Sequence, residues 1–524
     1  MDDWVIEQFV NTVREKVDPN FDLRPVQKKC IEKIVKAFND GYKVVLLDMP
    51  TGGGKSILNY VVALHFNTAW YTTPQIVLLD QLENDKYINA HGLLSVIKGK
   101  DNYPCLLLNE TLSGNKTTLF TARNAPCSVK KFNCRLKENC PYYQKRDEAI
   151  VSNYTAMSFA FMINTEKHPD FSEQRELLIV DEGDDIENWI ADYTEMRFVT
   201  TERLNTIYDV FDWAKRQSRR LDVEIDKLEN YGTSPQIIKR INALREKKRK
   251  IEILLDSNPE DFTFEQRGTR LHIKAVNVGS ILKRVIWNRG DKILITSGTI
   301  INAKLFSKYT GLTKLGDIKY IKVEHPFPVD NRPIKIIKCG KMTKNERANT
   351  YDKLVSKIVE LVQKHQGENG IIHAHSYEIA TEIAKRLKEK GINVITHGRE
   401  DRNEKFNEWI EKGGVFISVG FERGVDLKYD LCRFQIITKI PYPNVTDLRV
   451  KEIWLKRKDW KWARYQAIKN LVQMYGRAVR AVDDYAVTYI LDSSVINLMR
   501  YKSELPDYFT RAVQYETEHP VLTF

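Results

Sequence analysis

Between Lys43 and Leu58 the chain reads KVVLLDMPTGGGKSIL. Gly52, Gly53 and Gly54 let backbone N–H groups turn inward around an anion with no Cβ in the way, and the helix expected to open at Lys55 and Ser56 adds its positive end. Such a loop suits a nucleoside triphosphate: Lys55 reaches the β- and γ-phosphates, and the Ser56 hydroxyl ligates the Mg2+ that bridges them. Gly54, Lys55 and Ser56 satisfy the pattern G-x-x-x-x-G-K-[ST], whereas Met49 stands at its first glycine. The complementary chemistry comes at Leu177 to Asp184, LLIVDEGD, where an apolar strand ends in two carboxylates. Asp181 is the expected second ligand of Mg2+, and Glu182 the group that orients and polarises an attacking water. A third set lies in Gln473 to Arg480, QMYGRAVR. Arg477 and Arg480 are three apart, expected on one helix face, and suited to neutralising charge on a transferring γ-phosphate.

A fourth set is made of thiols. Of seven cysteines, Cys105, Cys127, Cys134 and Cys140 cluster between residues 105 and 140, while Cys30, Cys339 and Cys432 are isolated. Clustering of this kind points to a metal site rather than disulfides in an intracellular chain. No pair has the C-x2-C spacing of a zinc ribbon, and four thiolates are also what an iron–sulfur cluster needs, so the spacing leaves the metal open. The isolated three are expected in cores.

The elements that must position these groups alternate between strand and helix. Phe21 to Phe38 reads as an amphipathic helix, with Arg24 and Gln27 within reach of a nucleotide. Trp70 to Leu82 is a strand ending in Thr72, Thr73 and Pro74, which makes Thr73 and Gln75 candidates for holding a sugar-phosphate backbone. Lys98 to Tyr154 carries the clustered cysteines, and Thr200 to about Phe262 changes to helical periodicity with a turn at Tyr231 to Pro235. Its basic run Arg245 to Lys250, REKKRK, is either a nucleic-acid track or a solvated face. Strand–helix alternation then resumes, with a boundary expected near Lys314 and a second sheet beyond it. Asp426, just past the strand Val415 to Val419, and Gln473 join Arg24, Gln27, Thr51, Gly52, Gly53, Gly54, Lys55 and Ser56 as the nucleotide-binding set. With 524 residues, 42% hydrophobic and 29% charged, the chain is globular, and its formal charge of +12 favours a polyanionic partner. No secretory leader or membrane span is read, so a cytoplasmic setting is expected, with the nucleus left open.

These pieces together resemble the XPD/DinG group of superfamily 2 helicases over nearly the full chain. The resemblance is carried by Arg24-Pro25-Val26-Gln27, Asp48 to Ser56, Asp181-Glu182-Gly183-Asp184, Thr296-Ser297-Gly298-Thr299 and Gln473 to Arg480. Lys98 to Cys105 (KGKDNYPC) and Cys140-Pro141-Tyr142-Tyr143 look like the flanks of that family's 4Fe-4S domain, and Asn153-Tyr154 looks like its exit. The family implies an α/β fold of two tandem RecA-like P-loop domains with an inserted iron–sulfur domain and an inserted helical arch. The expected boundaries are 1–97, 153–195 and 266–314 for the first motor, 98–152 for the cluster domain, 196–265 for the arch and 315–524 for the second motor. Gly183-Asp184 replaces the usual Ala-His, and Gly298 replaces Ala.

The resemblance further implies ATP, Mg2+ and a 4Fe-4S cluster on Cys105, Cys127, Cys134 and Cys140 as cofactors. It implies 5′-to-3′ travel on single-stranded and forked DNA; independently of it, a monomer with no membrane partner is expected. Tyr103, Trp460 and Trp462 are candidate stacking platforms for bases. An ATP-switched clamp that holds nucleic acid or a partner without unwinding, and a motor acting on RNA, R-loops or DNA–RNA hybrids, are the alternative readings.

Overall fold

The computed structural model describes residues 3–50, 52–112, 120–129, 132–324, 327–420, 427–479 and 481–515. Two seven-stranded parallel sheets organise it. In the first, the strands run in the order Ile318–Lys322, Val44–Asp48, Gly290–Ser297, Arg175–Asp181, Ala69–Thr73, Tyr154–Ser158, Leu94–Val96. Val44–Asp48 is buried along its whole length, as its uninterrupted VVLLD run requires of a strand covered on both faces. Its two neighbours pair with it in parallel register, Asp48 lying opposite both Ser297 and Lys322. Parallel strands put their C-terminal ends on one edge, so the phosphate loop, Asp181 and Thr296 meet there although they are far apart in sequence.

The second sheet runs Ile395–Thr396, Val415–Ser418, Gly370–His373, Phe434–Ile437, Val487–Asp492, Ile334–Gly340, Val513–Tyr515. Its core is separate, formed where helices Arg347–Lys364 and Tyr377–Glu389 cover one face and helix Trp460–Tyr475 the other. Cys339 and Cys432 are buried here and Cys30 is buried in the first unit, as expected of isolated cysteines.

The structure moves two expected boundaries. Ile318–Lys322 pairs with Val44–Asp48, so the first sheet continues past Lys314. Its sequence IKYIK exposes Lys319 and Lys322 and buries only Ile321, as suits an edge strand rather than a buried run. The helical insertion, expected over 196–265, is a hairpin of helices Ile207–Tyr231 and Pro235–Leu255 on a three-stranded antiparallel sheet whose strand Arg270–Ala275 lies beyond that range. Strand Met196–Val199 closes that sheet from the other side of the hairpin, a pairing between distant segments that helical periodicity does not reveal. No helix among the described residues is long and apolar enough to cross a membrane.

Candidate functional site

The phosphate loop has the backbone that its glycines allow. Gly52 and Gly54 have φ of +81° and +80°, and helix Lys55–Ala63 starts directly behind them. Met49, at the position of the missing glycine, is buried, and its side chain fills the space beside Gly53 where a Cβ would stand. Arg24 and Gln27 serve this loop directly. Arg24 Nη1 donates to the Gly52 carbonyl at 2.6 Å and Gln27 Nε2 to that of Gly54 at 3.0 Å, while Gln27 Oε1 accepts from the Arg24 N–H. A Cβ at Gly54 would lie 2.4 Å from Gln27 Nε2. Gly54→Ala is therefore expected to weaken nucleotide binding about tenfold or more. A Cβ at positive φ alone costs about 1–2 kcal/mol. Titration with a fluorescent ATP analogue reads the effect, and unchanged affinity would refute the loop's role.

The two carboxylates sit at the end of strand Arg175–Asp181. Asp181 is buried and accepts from Tyr71 Oη (2.7 Å), Thr296 Oγ1 (3.0 Å) and the Glu182 N–H (3.0 Å). Asn59 Nδ2 donates to both Tyr71 Oη and Thr296 Oγ1, so three segments fix one carboxylate. Burial pushes the Asp181 carboxyl up, the Glu182 charge adds to this, and Lys55 with the Tyr71 and Thr296 bonds pulls it down. A carboxylate so buried is stabilised further by a cation. Glu182 turns with φ of +49°, a strained conformation for a residue with a Cβ, and its Oε1 lies 3.1 Å from Lys55 Nζ. The half-buried Ser56 follows Lys55 on the same turn. Lys55, Ser56, Asp181 and Glu182 thus share one sheet edge, as the motifs require.

Two departures from the family pattern have visible surroundings. A Cβ at Gly183 would come 2.7 Å from Ile295 Cγ2, which accounts for glycine at this position. Asp184 accepts from Ser297 Oγ (2.7 Å), Thr299 Oγ1 (2.9 Å) and Gln473 Nε2 (2.6 Å), and so links the second, third and last motifs. Gln473 therefore meets the first unit through Asp184. Arg477 is not on a helix face: helix Trp460–Tyr475 ends before Gly476, a residue that helices tolerate poorly, and Arg477 lies in the turn. It is close enough to His373 to help burial depress that imidazole to about 4. Arg480, Asp426 and Thr51 lie outside the described residues.

Cys105, Cys127, Cys134 and Cys140 line one small cavity together with Tyr142 and Tyr143. Burial pushes the Cys105 thiol up, and the charges of Cys127, Cys140 and Cys134 push it further. No three Cys, His, Asp or Glu side chains among the described residues stand close enough to hold a single metal ion. A polynuclear cluster asks something different, one thiolate at each iron of a cubane, and four sulfurs around one apolar cavity fit that donor set.

The basic run is mostly spent internally. Arg245 donates to the carbonyls of Ser128 (3.2 Å) and Val129 (2.6 Å), Lys248 pairs with Asp222, and Lys250 donates to the Glu195 carbonyl. Val129 packs among Ile225, Ile238, Ile241 and Leu244, so the cysteine-bearing insertion and the helical hairpin touch. Of the stacking candidates, Trp462 is buried, Tyr103 accepts from the Lys98 N–H and packs on Tyr142, and Trp460 is exposed. Thr73 is buried with no partner for its hydroxyl among the described residues, and Gln75 is exposed.

Residues 20–186 match the family profile of the type III restriction enzyme res subunit, and residues 358–512 match that of the helicase C-terminal domain. The probable ATP-dependent helicase MJ0942 of Methanocaldococcus jannaschii is 28% identical over 278 residues, 47% of this chain and 42% of that protein. The ATP-dependent DNA helicase DinG of Photobacterium profundum is 24% identical over 269 residues, 47% and 38% of the two chains. These matches support an XPD/DinG-type superfamily 2 helicase. Solved structures agree in fold: one titled XPD helicase superposes with a TM-score of 0.67 at 16% identity, covering 94% of this chain and all of that one. Another, Xpd4 of S. tokodaii, gives 0.59 at 14% identity over 94% of this chain and all of that one. The matched segments span less than half the length of the curated relatives.

Proposed function

We propose that the chain hydrolyses ATP and uses the cycle to move 5′-to-3′ along single-stranded DNA, opening duplexes at a fork. In this reading a 4Fe-4S cluster is held by Cys105, Cys127, Cys134 and Cys140, and the helical hairpin is the arch. The supporting observation is the contact between the two insertions, Val129 seated among Ile225, Ile238, Ile241 and Leu244 with Arg245 on the neighbouring carbonyls. Two insertions that leave one sheet at separate points and meet would bound an opening for one strand, leaving the duplex against the cysteine-bearing domain.

Lys55 neutralises the β- and γ-phosphates, and the phosphates draw it away from Glu182, which it holds at 3.1 Å. Glu182, released, accepts the proton of the attacking water. Ser56 and Asp181 would hold Mg2+, which when bound neutralises phosphate charge. Arg477 and Arg480 reach the γ-phosphate from the second unit, with Gln473 and Asp426 completing the nucleotide site. A cluster on these four thiolates would hold its insertion rigid.

The test is displacement of a labelled strand from duplexes bearing only a 5′ tail or only a 3′ tail, in DNA, RNA and hybrid forms. Displacement from the 5′-tailed DNA alone is expected. Preference for the 3′ tail would overturn the polarity, and ATP hydrolysis with no displacement on any substrate would leave a clamp.

A further inference from the structure

Helix Trp460–Tyr475 of the second unit lies against the first, and its two ends are held differently. Near the N-terminal end the Glu187 carboxylate, 2% exposed, accepts from Arg449 Nη2, from Trp462 Nε1 at 2.7 Å and from Gln466 Nε2 at 3.1 Å. Arg449, 4% exposed, gives its other donors to Asn188 Oδ1 at 2.9 Å and to the Val276 carbonyl at 3.2 Å. Val276, Val450, Ile453, Trp462 and Ala463 surround this group as one apolar cluster. Removing either partner of such a buried pair strands a charge, at a cost of about 3–5 kcal/mol.

Three turns further along, about 16 Å at 1.5 Å per residue, the attachment is weaker. Gln473 Nε2 donates to Asp184 Oδ2 and, at 2.9 Å, to Thr299 Oγ1, while Gln473 Oε1 is buried with no partner among the described residues. Hydrogen bonds of this kind contribute about 0.5–3 kcal/mol each, and their donors are satisfied by water when the contact opens. This end is attached at Asp184, two residues past Glu182 in the chain. Between the two ends, one turn from Gln473, the buried Lys469 Nζ donates to the Asp184 carbonyl and forms an ion pair with Asp185 Oδ1. The Asp185 side chain is 29% exposed against 3% for Glu187, so that water can take over this pair more readily than the one at the other end.

We propose that Glu187 and Arg449 form the pivot on which the second unit turns during the ATP cycle, staying closed while the Gln473 end opens and closes on the phosphate loop. The inference rests on the ATP-driven reading above and assigns both residues a positioning role in it. The arch base sits at the same end: Lys274 Nζ lies 2.6 Å from Asp447 Oδ2, two residues before Arg449. The arch thus stays near the axis while the nucleotide cleft moves.

Hydrogen exchange on the full chain, with and without ATPγS, tests the pivot directly. In the wild type, backbone amides around Asp184, Thr299 and Gln473 should gain protection on binding, and those at 187–190 and 449–453 should not change. Glu187→Gln and Arg449→Met should each lower the number of base pairs opened per ATP by about tenfold or more, with single-strand-stimulated kcat within about threefold, because the buried charge left behind loosens the axis. The double variant Glu187→Met with Arg449→Met should recover most of the loss, since a packed apolar pair can replace a buried ion pair. It also keeps the test decisive if Arg449→Met alone fails to fold. Protection gained equally at both ends, or folded single variants with wild-type base pairs per ATP, would overturn the pivot. A wild type with no hydrolysis and no protection anywhere would instead remove the ATP reading, and the pivot with it.

Discussion

Lys55→Ala is expected to reduce ATP hydrolysis by about a thousandfold or more, since a preorganised charge aimed at the transferring phosphoryl group is among the largest single contributions to such catalysis. The fold should survive. Lys55 is buried, but its ion-pair partner is Glu182, whose side chain is one-third exposed, and losing such a pair costs about 1 kcal/mol or less once water screens it. The helix behind the loop keeps its start, because Ala is at least as good a helix former as Lys at that position. A second effect runs in the same direction. Lys55 is one of the groups holding the Asp181 carboxyl down against burial, so its removal leaves Asp181 protonated to a higher pH and a poorer Mg2+ ligand. Single-strand-stimulated ATPase with circular dichroism on the same sample decides the matter. Wild-type turnover from a natively folded variant would remove Lys55 from the site.

The parts of this molecule that were legible in the sequence are those where one segment does one job. The VVLLD strand, the triple glycine and the Lys55 helix start form a continuous local unit, and the structure keeps them in register. Asp181 and Glu182 could be read because an apolar run ended in them. The residues that fix Asp181 could not: Asn59, Tyr71 and Thr296 come from three other segments, and only strand order brings them together. Glu187 and Arg449 were missed for a related reason. Glu187 lies beside Ile186 and Ile190 on a helix with an apolar face, and its position there was a usable sign of burial, but its partner is 262 residues away. Trp462 was read as a stacking platform, yet its indole is spent on Glu187, because an aromatic side chain announces contact area without saying what covers it. Periodicity likewise found the hairpin helices but not the antiparallel sheet beneath them, whose strands pair across the whole insertion. The spacing of Arg477 and Arg480 suggests one helix face, but Gly476 ends that helix before Arg477, and Arg480 lies outside the described residues.

Cys105→Ser is expected to bleach a brown, anaerobically purified protein carrying about four irons and four sulfides per chain, and to abolish strand displacement while sparing most of the ATPase. Among the described residues the cysteine-bearing loops have a small core of their own, Cys105, Leu108 and Ala125 with Leu107, Phe120 and Cys127 packed alongside, while Ala122 and Tyr142 pack into the core of the first unit. A core of that size does not offset the conformational entropy of the loops between the cysteines, at about 1–2 kcal/mol per ordered backbone residue. With the four thiolates no longer joined through a common centre, the segment 123–129 that meets the hairpin loses its anchor at Cys127, and the Val129 and Arg245 contacts loosen with it. Lys55, Asp181, Glu182 and Arg477 lie outside the insertion, so hydrolysis has no comparable reason to fail. Cys127→Ser, Cys134→Ser and Cys140→Ser should behave alike, because each thiol lines the same cavity. Serine at Cys30, Cys339 or Cys432 should leave the colour unchanged, since these thiols are buried in the cores of the two parallel-sheet units. Iron and sulfide analysis beside displacement and ATPase assays on the same preparations separates the outcomes. Stoichiometric zinc without sulfide would replace the cluster with a different metal, and a colourless Cys105→Ser protein that opens duplexes at the wild-type rate would show that the cysteine domain is not what splits the strands.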